Sequence, residues 1–266
     1  PTRRSSDLDV FTSLTNHQLR SSREVREGIL IAESQIAIRV ALAHGVEPMA
    51  FLLDERRLES MADVLHGLPA DVPVFVLPPD QAERLTGYRV TRGALCAMRR
   101  PVRPDMEDIV CGSRRLVVVE GLTDTSNVGA VFRNAAALGA DGVIVAPNCA
   151  DPLSRRAVRV SMGNVFLVPW TKAGGVWPNG LFSLLEKEGF TSVALALEEG
   201  ARPLDDLAAG LAGKTALFFG SEGAGLSRQV IRRCDHTAII PMHHGVDSLN
   251  VAASTAVALW ECFGRP

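Results

Sequence analysis

Three short stretches combine glycine with polar side chains directly after apolar runs, and each could bring chemical groups to a ligand. They are TSNVGAVFRN (125–134), GSEGAGLS (220–227) and PMHHGVDSLN (241–250). Glycine lets the backbone approach a ligand closely, and amide, carboxylate and guanidinium groups can orient a hydroxyl group, bind phosphate or stabilise negative charge. Taken singly, each polar residue also has a structural interpretation. Asn127, Ser248 and Asn250 could cap helices, and Glu222 could be a surface acid in a turn.

Two other patterns suggest nucleotide chemistry and can be tested against their context. AAGLAGKT (208–215) resembles a relaxed phosphate loop, but it precedes the strand ALFFG, whereas a phosphate loop must follow a strand and open a helix. GSEGAGLS does follow a strand, so a dinucleotide-dependent oxidoreductase is an alternative. The next strand ends in IIPMHH and has no acid to bind a ribose, which counts against it. Adjacent His243 and His244 point to opposite sides of an extended segment, so we expect no metal site.

The composition of the 266 residues, 47% hydrophobic and 22% charged, is typical of a soluble globular protein. No apolar run could span a bilayer and no signal peptide opens the chain, so we expect a cytoplasmic protein without a membrane partner. The five cysteines are scattered and form no CxxC pair, which argues against disulfides and zinc. Residues 1–8 share no pattern with the rest of the chain and are left out of the fold prediction.

A net charge of −2 does not by itself indicate a nucleic-acid partner. Six arginines nevertheless lie between residues 84 and 103. They could form a solvated surface or a patch that follows a phosphate backbone. Within this cluster we single out Arg92, Arg99 and Arg100 as candidate RNA contacts.

The elements that must position these residues fall into two segments. Short apolar runs alternate with helical patterns over residues 9–100, which predicts a small α/β domain with ALCAM as an edge strand. Residues 101–114 are rich in proline and charge and have the composition of a linker. Over residues 115–266, near-continuous apolar strands joined by helices predict an α/β domain whose parallel sheet is covered by helices on both faces. Ligand sites in such sheets gather at the carboxyl ends of the strands.

The three polar stretches occur in the same order, and on the same strand-to-helix edges, as the signature motifs of the SpoU/TrmH family. NVGAVFRN, LFFGSEGAGLS and IIPMHHGVDSLNVAAS carry this resemblance, which extends over residues 115–263. It implies an S-adenosyl-L-methionine-dependent RNA ribose 2′-O-methyltransferase of the SPOUT class, with a carboxyl-terminal trefoil knot and a homodimeric assembly. REGILIAE and VPVFVLP also resemble the ribosomal-protein-like α/β domain that binds RNA substrate in this family. One departure is His244, which stands where family members commonly carry glycine.

The resemblance also implies which residues form the site. The implied catalytic residues are Asn127, Arg133, Glu222, Ser248 and Asn250. The implied cofactor contacts are Leu197, Glu198, Gly220, Ser221, Glu222, Ile240, Met242, Leu249 and Asn250. The apolar members of this second set suit an adenine slot.

We interpret Arg133 as a clamp on an RNA phosphate that also stabilises charge on the forming alkoxide, held in place by Asn127. A guanidinium hardly deprotonates, so proton removal is left to the phosphate, a water or a carboxylate. We expect ribosomal RNA rather than transfer RNA as the substrate, because the extension is a folded amino-terminal domain. The alternative is an RNA-binding assembly factor with the same fold and no turnover.

Overall fold

In the computed structural model, residues 8–12, 14, 23–211 and 213–264 are described. The chain divides into two units, of which the first comprises residues 1–102 and 153–166 and the second comprises residues 103–152 and 167–266. Among the described residues, no helix is both long and apolar enough to cross a membrane.

The first unit contains a mixed four-stranded sheet with the order β1-β4-β2-β3. Its strands are β1 (Ile29–Glu33), β2 (Pro48–Asp54), β3 (Val74–Leu77) and β4 (Ala94–Arg99). Its first three helices are α1 (Gln35–Ala43), α2 (Ala62–His66) and α3 (Pro79–Thr86). Strand β4 is antiparallel to both β1 and β2, and β2 is parallel to β3.

Strand β4 corrects the prediction that ALCAM is an edge strand, because it lies between β1 and β2. Leu95 and Ala97 belong to the core on one face, and the alternate residues Cys96 and Met98 are also fully buried. Leu8, which the fold prediction left out, packs against the same core.

The second unit contains a seven-stranded sheet with the order β7-β6-β5-β10-β8-β11-β9, and every strand pair in it is parallel. Its strands are β5 (Arg115–Val119), β6 (Gly142–Val145), β7 (Trp170–Lys172), β8 (Phe190–Leu195), β9 (Arg202–Pro203), β10 (Lys214–Phe219) and β11 (His236–Ile239). The remaining helices of the chain are α4 (Met106–Gly112), α5 (Thr125–Ala137), α6 (Arg155–Val160), α7 (Asn179–Lys187), α8 (Leu204–Ala208), α9 (Arg228–Arg233) and α10 (Val251–Leu259).

The predicted parallel sheet of an α/β fold is therefore confirmed. Leu116 and Val118 of β5 pack in a core with residues of α4, α7 and α9. The alternate residues Val117 and Val119 are also buried, so both faces of the sheet are covered. Strand β7 begins only at Trp170, because residues 164–166 before it form a short 3₁₀ turn.

Two segments differ from the predicted domain organisation. Residues 106–112, within the predicted linker 101–114, form helix α4, and its Ile109 and Val110 are buried in the core of the second unit. Residues 153–166, within the predicted 115–266 domain, belong to the first unit. Helix α6 lies in this segment and packs against β1.

A buried ionic cluster holds helix α6 within the first unit. Glu33, at the end of β1, has a side chain that is 1% exposed and accepts hydrogen bonds from Arg155 (2.7 Å) and Arg159 (3.1 Å). The Tyr88 hydroxyl donates to the same carboxylate (3.2 Å), and the Arg155 guanidinium lies 4.3 Å from the centre of the Tyr88 ring. Burial raises the pKa of Tyr88 well above its usual value, so this hydroxyl remains a donor. One carboxylate thus satisfies three donors.

We predict that Glu33→Ala lowers the free energy of unfolding by about 3 kcal/mol, because it leaves two arginines without their buried partner. The control is Glu47→Ala, which removes an exposed partner of Arg99 and should cost under about 1 kcal/mol. Urea denaturation of both variants and the parent gives the comparison. Equal losses in the two variants would contradict the role assigned to Glu33.

Candidate active site

A cavity of about 300 Å³ opens at the carboxyl ends of β8, β10 and β11, three neighbouring strands of the second sheet. Residues 195–198, 219–226 and 238–240 line it as they leave these strands. Ile231, Met242, residues 247–249, Val251 and Ser254 complete the lining. The cavity therefore lies where ligand sites are expected in a parallel sheet.

Close backbone packing shapes the loop after β10. A Cβ atom at Gly220 would lie 2.1 Å from the carbonyl carbon of Gly225, so no other residue fits there without a change in the loop. The amide of Gly225 donates to the Ser221 carbonyl (2.9 Å), and the Ser221 hydroxyl accepts from the Ala224 amide (3.3 Å). This loop is a hydrogen-bonded turn whose backbone lines the cavity.

A buried carboxylate fixes the far end of the same loop. Glu120, the residue after β5, is 4% exposed and accepts from the Trp177 indole (2.7 Å), the Ser227 amide (2.7 Å) and the Ser227 hydroxyl (3.0 Å). Ser227 in turn caps helix α9 through the Val230 amide (3.3 Å). Glu120 thus links the ends of β5 and of the cavity-lining loop.

Sequence reasoning missed this group. The signal in the sequence is an acid that directly follows the buried run LVVV, since a carboxylate at such a position needs hydrogen-bond partners. Its partners Trp177 and Ser227 come from distant segments, so they could not be named from the sequence.

Three of the five predicted catalytic side chains meet in one hydrogen-bonded cluster beside the cavity. The Asn127 amide nitrogen donates to Glu222 Oε1 (3.1 Å), and the Asn250 amide nitrogen donates to Asn127 Oδ1 (3.2 Å) and to the same Glu222 oxygen. Asn250 Oδ1 also accepts from the Ala252 amide (2.8 Å), so Asn250 caps α10 as well. We refer to Asn127, Glu222 and Asn250 as the polar cluster.

The cluster has a simple division of donors and acceptors. Both amide groups use their nitrogen atoms within it, and both bonds to the carboxylate reach the same oxygen. Among the described residues, Glu222 Oε2 accepts no hydrogen bond. A ligand hydroxyl can therefore be bound by a carboxylate whose orientation is already set.

Arg133 does not have the predicted support. Asn127 uses its side-chain groups on Glu222 and Asn250, and the helix N-cap of α5 is Asp124, not Asn127. Arg133 follows Asn127 by six positions on α5, which turns its side chain about 240° around the helix axis. Arg133 is exposed and makes no hydrogen bond or ion pair with any described residue. The prediction that Asn127 holds Arg133 is wrong for this structure.

The other predicted site residues line the cavity, with the exception of Asn250. Ser248 lines the cavity, and so do eight of the nine predicted cofactor contacts: Leu197, Glu198, Gly220, Ser221, Glu222, Ile240, Met242 and Leu249. Asn250 is not part of the lining and belongs to the polar cluster.

The third loop keeps a glycine-like backbone despite its histidine. His244 has a φ of 58°, in the left-handed region that favours glycine, and Gly245 follows with a φ of 72°. Both His243 and His244 are exposed. Among the described residues, no group of His, Cys, Asp and Glu side chains could hold a metal ion.

The three candidate RNA arginines lie in the first unit and differ in their contacts. Arg99 forms an exposed ion pair with Glu47 (3.1 Å), and Arg100 donates to the Ile29 carbonyl (2.7 Å). Arg92 is exposed. Two of the three guanidinium groups are therefore engaged within the protein.

Comparison with known proteins confirms the resemblance suggested by the three motifs. The chain is 38% identical over 255 residues to an uncharacterized tRNA/rRNA methyltransferase of Mycobacterium bovis, covering 96% of this chain and 87% of that protein. It is 32% identical over 159 residues to the 23S rRNA (guanosine-2′-O-)-methyltransferase RlmB of Vibrio vulnificus, covering 59% of this chain and 62% of that protein.

The fold is also that of solved SpoU methyltransferases. The crystal structure of AviRb from Streptomyces viridochromogenes in complex with AdoMet covers 98% of each chain, with a TM-score of 0.81 at 24% identity. Residues 114–260 match the SpoU rRNA Methylase family. The chain therefore belongs to the SpoU family of RNA methyltransferases.

Proposed function

We propose that this protein transfers a methyl group from S-adenosyl-L-methionine to a ribose 2′-hydroxyl of RNA, with ribosomal RNA as the substrate. The observation that carries the proposal is the polar cluster beside the cavity, which joins all three motif loops. The family supports methyl transfer to RNA, and the relative RlmB supports the ribose 2′-oxygen of ribosomal RNA as the acceptor.

The lining of the cavity fits a nucleoside cofactor. Leu197, Ile240, Met242 and Leu249 offer apolar surface to an adenine ring, and the surrounding loops offer backbone amides and carbonyls to its edge. Glu198 can accept hydrogen bonds from ribose hydroxyls. When bound, S-adenosyl-L-methionine supplies an electrophilic methyl group on a sulfonium centre. AviRb, which shares the fold, was crystallised with this cofactor.

In the proposed mechanism the protein orients the hydroxyl and accepts its proton. Asn127 and Asn250 fix Glu222 through Oε1, which leaves Oε2 to accept the 2′-hydroxyl proton as the oxygen–carbon bond forms and the sulfur–carbon bond breaks. Ser248 in the lining can donate a hydrogen bond to the same ribose. Arg133, exposed on α5, is proposed to bind the adjacent phosphate and to stabilise charge on the ribose oxygen.

The direct test is methyl transfer from labelled S-adenosyl-L-methionine to total bacterial RNA. A 2′-O-methyl group makes the adjacent phosphodiester resistant to alkali, so hydrolysis maps the modified nucleotide. We expect one alkali-resistant position in ribosomal RNA. Methylation of a base would contradict the proposed acceptor, and RNA binding without any transfer would favour an assembly factor.

We further propose that two copies of the chain associate through α10, within a knotted carboxyl-terminal fold. Val257 lies near the end of α10, and Trp260, three positions later, opens the short π-helical turn that continues the helix; these side chains are 42% and 53% exposed, and their spacing puts them on the same side. An apolar helix face left in contact with water favours burial against a second copy.

Val257→Asp should convert the dimer to a 28.5 kDa monomer, because it places a charge in the proposed apolar interface. Val176→Asp is the matched control, since Val176 is 73% exposed in a loop of the same unit. Light scattering after size exclusion measures the mass of each. A monomeric parent, or a dimer retained in Val257→Asp, would refute the interface.

Arg133→Lys should slow single-turnover methyl transfer by about two orders of magnitude, because lysine keeps the charge but loses the planar fork that binds phosphate through two hydrogen bonds. Cofactor affinity should not change. The control is Arg232→Lys, the same change at an exposed position on α9. A near-parental rate would remove Arg133 from the catalytic group, and a loss of cofactor affinity would assign it to the cofactor site.

Glu120→Gln should weaken S-adenosyl-L-methionine binding by about tenfold, because an amide cannot accept from all three donors that hold the loop after β10. Glu107→Gln, at an exposed partner of Lys187, should leave the affinity unchanged. Calorimetric titration measures both affinities. Equal affinity of Glu120→Gln and the parent would show that the loop does not need this carboxylate.

A further inference from the structure

The first unit contains a cavity of its own, of about 670 Å³, that the proposed methyl transfer does not use. It lies between the end of β2, helix α3 and the turn formed by residues 89–93. We propose that this cavity binds a single nucleotide of the RNA substrate, other than the nucleotide that is methylated. This inference rests on the proposed function, because it takes RNA as the substrate.

The floor of the cavity is apolar, and a backbone hydrogen bond joins two of the segments that line it. Leu52 and Ala82 are 2% and 4% exposed, and both line the cavity together with Val90. The turn is tied to the end of β2 by the Asp54 amide, which donates to the Gly93 carbonyl (2.9 Å). An apolar floor of this kind suits the face of a nucleobase.

Gly93 makes room for an arginine at the rim. A Cβ atom at Gly93 would lie 2.8 Å from Cγ and 2.9 Å from Nε of Arg57. Because Gly93 has no side chain, the Arg57 side chain can pack directly against the turn, and Arg57 also lines the cavity. Arg89 lines the same cavity from the first residue of the turn.

Three other charged side chains of the lining, Asp54, Arg56 and Asp80, already form ion pairs. Asp54 accepts from Arg56 Nε at both oxygens (3.0 and 3.1 Å), and this hydrogen bonding holds the pKa of Asp54 below its usual value. Asp80 is paired with Arg84 (2.6 Å). The acids of these two pairs therefore offer little to a ligand.

Two cationic side chains and one anionic side chain of the lining have no ionic partner among the described residues. The exposed side chains of Arg57, Arg89 and Glu83 form no hydrogen bond or ion pair within the described part of the chain, and all three line the cavity. A guanidinium binds phosphate through two hydrogen bonds or stacks on a base, whereas a carboxylate accepts from the N–H groups of a base or from a ribose hydroxyl. A ligand with an anionic group, hydrogen-bond donors and a flat ring satisfies all three, and a nucleotide has each of these. A site for phosphate alone would gain nothing from Glu83.

The test measures binding of the full-length protein to an in vitro transcript of bacterial 23S ribosomal RNA, by filter binding at several salt concentrations. Arg57→Ala/Arg89→Ala should raise the Kd about tenfold and reduce the slope of log K against log salt by about one or two. The charge-matched control is Arg26→Ala/Arg39→Ala, at two arginines of the same unit that are ion-paired and lie outside the cavity. It should change the Kd less than twofold. Equal effects in the two double variants would overturn the proposal.

Glu83→Ala separates a nucleotide site from a simple phosphate patch. We expect this variant to bind the transcript about threefold more weakly, because it loses an acceptor for the base or ribose. Tighter binding, as expected when an acid is removed from a phosphate patch, would overturn the nucleotide assignment. Micromolar binding of a free nucleoside monophosphate, with RNA affinity intact in the arginine variants, would also overturn it.

These measurements do not depend on turnover. If the parent protein binds the transcript as described but transfers no methyl group, the proposed function fails and the cavity assignment stands. If methyl transfer occurs and the arginine and Glu83 variants bind RNA like the parent, the cavity assignment fails alone.

Discussion

The candidate active site depends on one set of hydrogen bonds, those that join Asn127, Glu222 and Asn250. In the sequence, Asn127 lies 95 positions from Glu222 and 123 positions from Asn250, and Glu222 and Asn250 are 28 positions apart. Each of the three residues follows a different strand of the parallel sheet. Their side chains can meet only if the three loops have their native conformations. The cluster is therefore both a product of the fold and the feature that gives the carboxylate of Glu222 a defined orientation.

Two features of the second unit keep these loops in place. Gly220 allows its backbone to pack directly against Gly225, and Glu120 binds Trp177 and Ser227 at the end of the same loop. Neither feature touches the polar cluster directly. Both limit the conformations of the loop that carries Glu222, so the cost of ordering the site is met largely by folding itself.

Much of this arrangement could be predicted from the sequence. The apolar runs of the second unit predicted its parallel sheet, because strands buried on both faces need side chains such as those of LVVV at every position. The motif loops could be assigned to the strand ends, where Asn127, Glu222 and Asn250 do meet. The partners of Glu120 could not be assigned, because they depend on long-range packing. The same holds for α6, whose Arg155 and Arg159 find their carboxylate 122 and 126 residues away. Local patterns also placed β4 at a sheet edge, since they do not reveal which strands flank it.

The central claim is that the polar cluster acts as a unit, and a double-mutant cycle on single-turnover methyl transfer to RNA tests it most directly. Asn127→Ala removes one member, and Asn250→Ser removes another while keeping a side-chain oxygen to cap α10. If the cluster acts as a unit, the second substitution should add little to the first. The rate of methyl transfer by the double variant should then lie within a few fold of the rate of the slower single variant. Losses that multiply, with the double variant slowed by the product of the two single effects, would contradict this account.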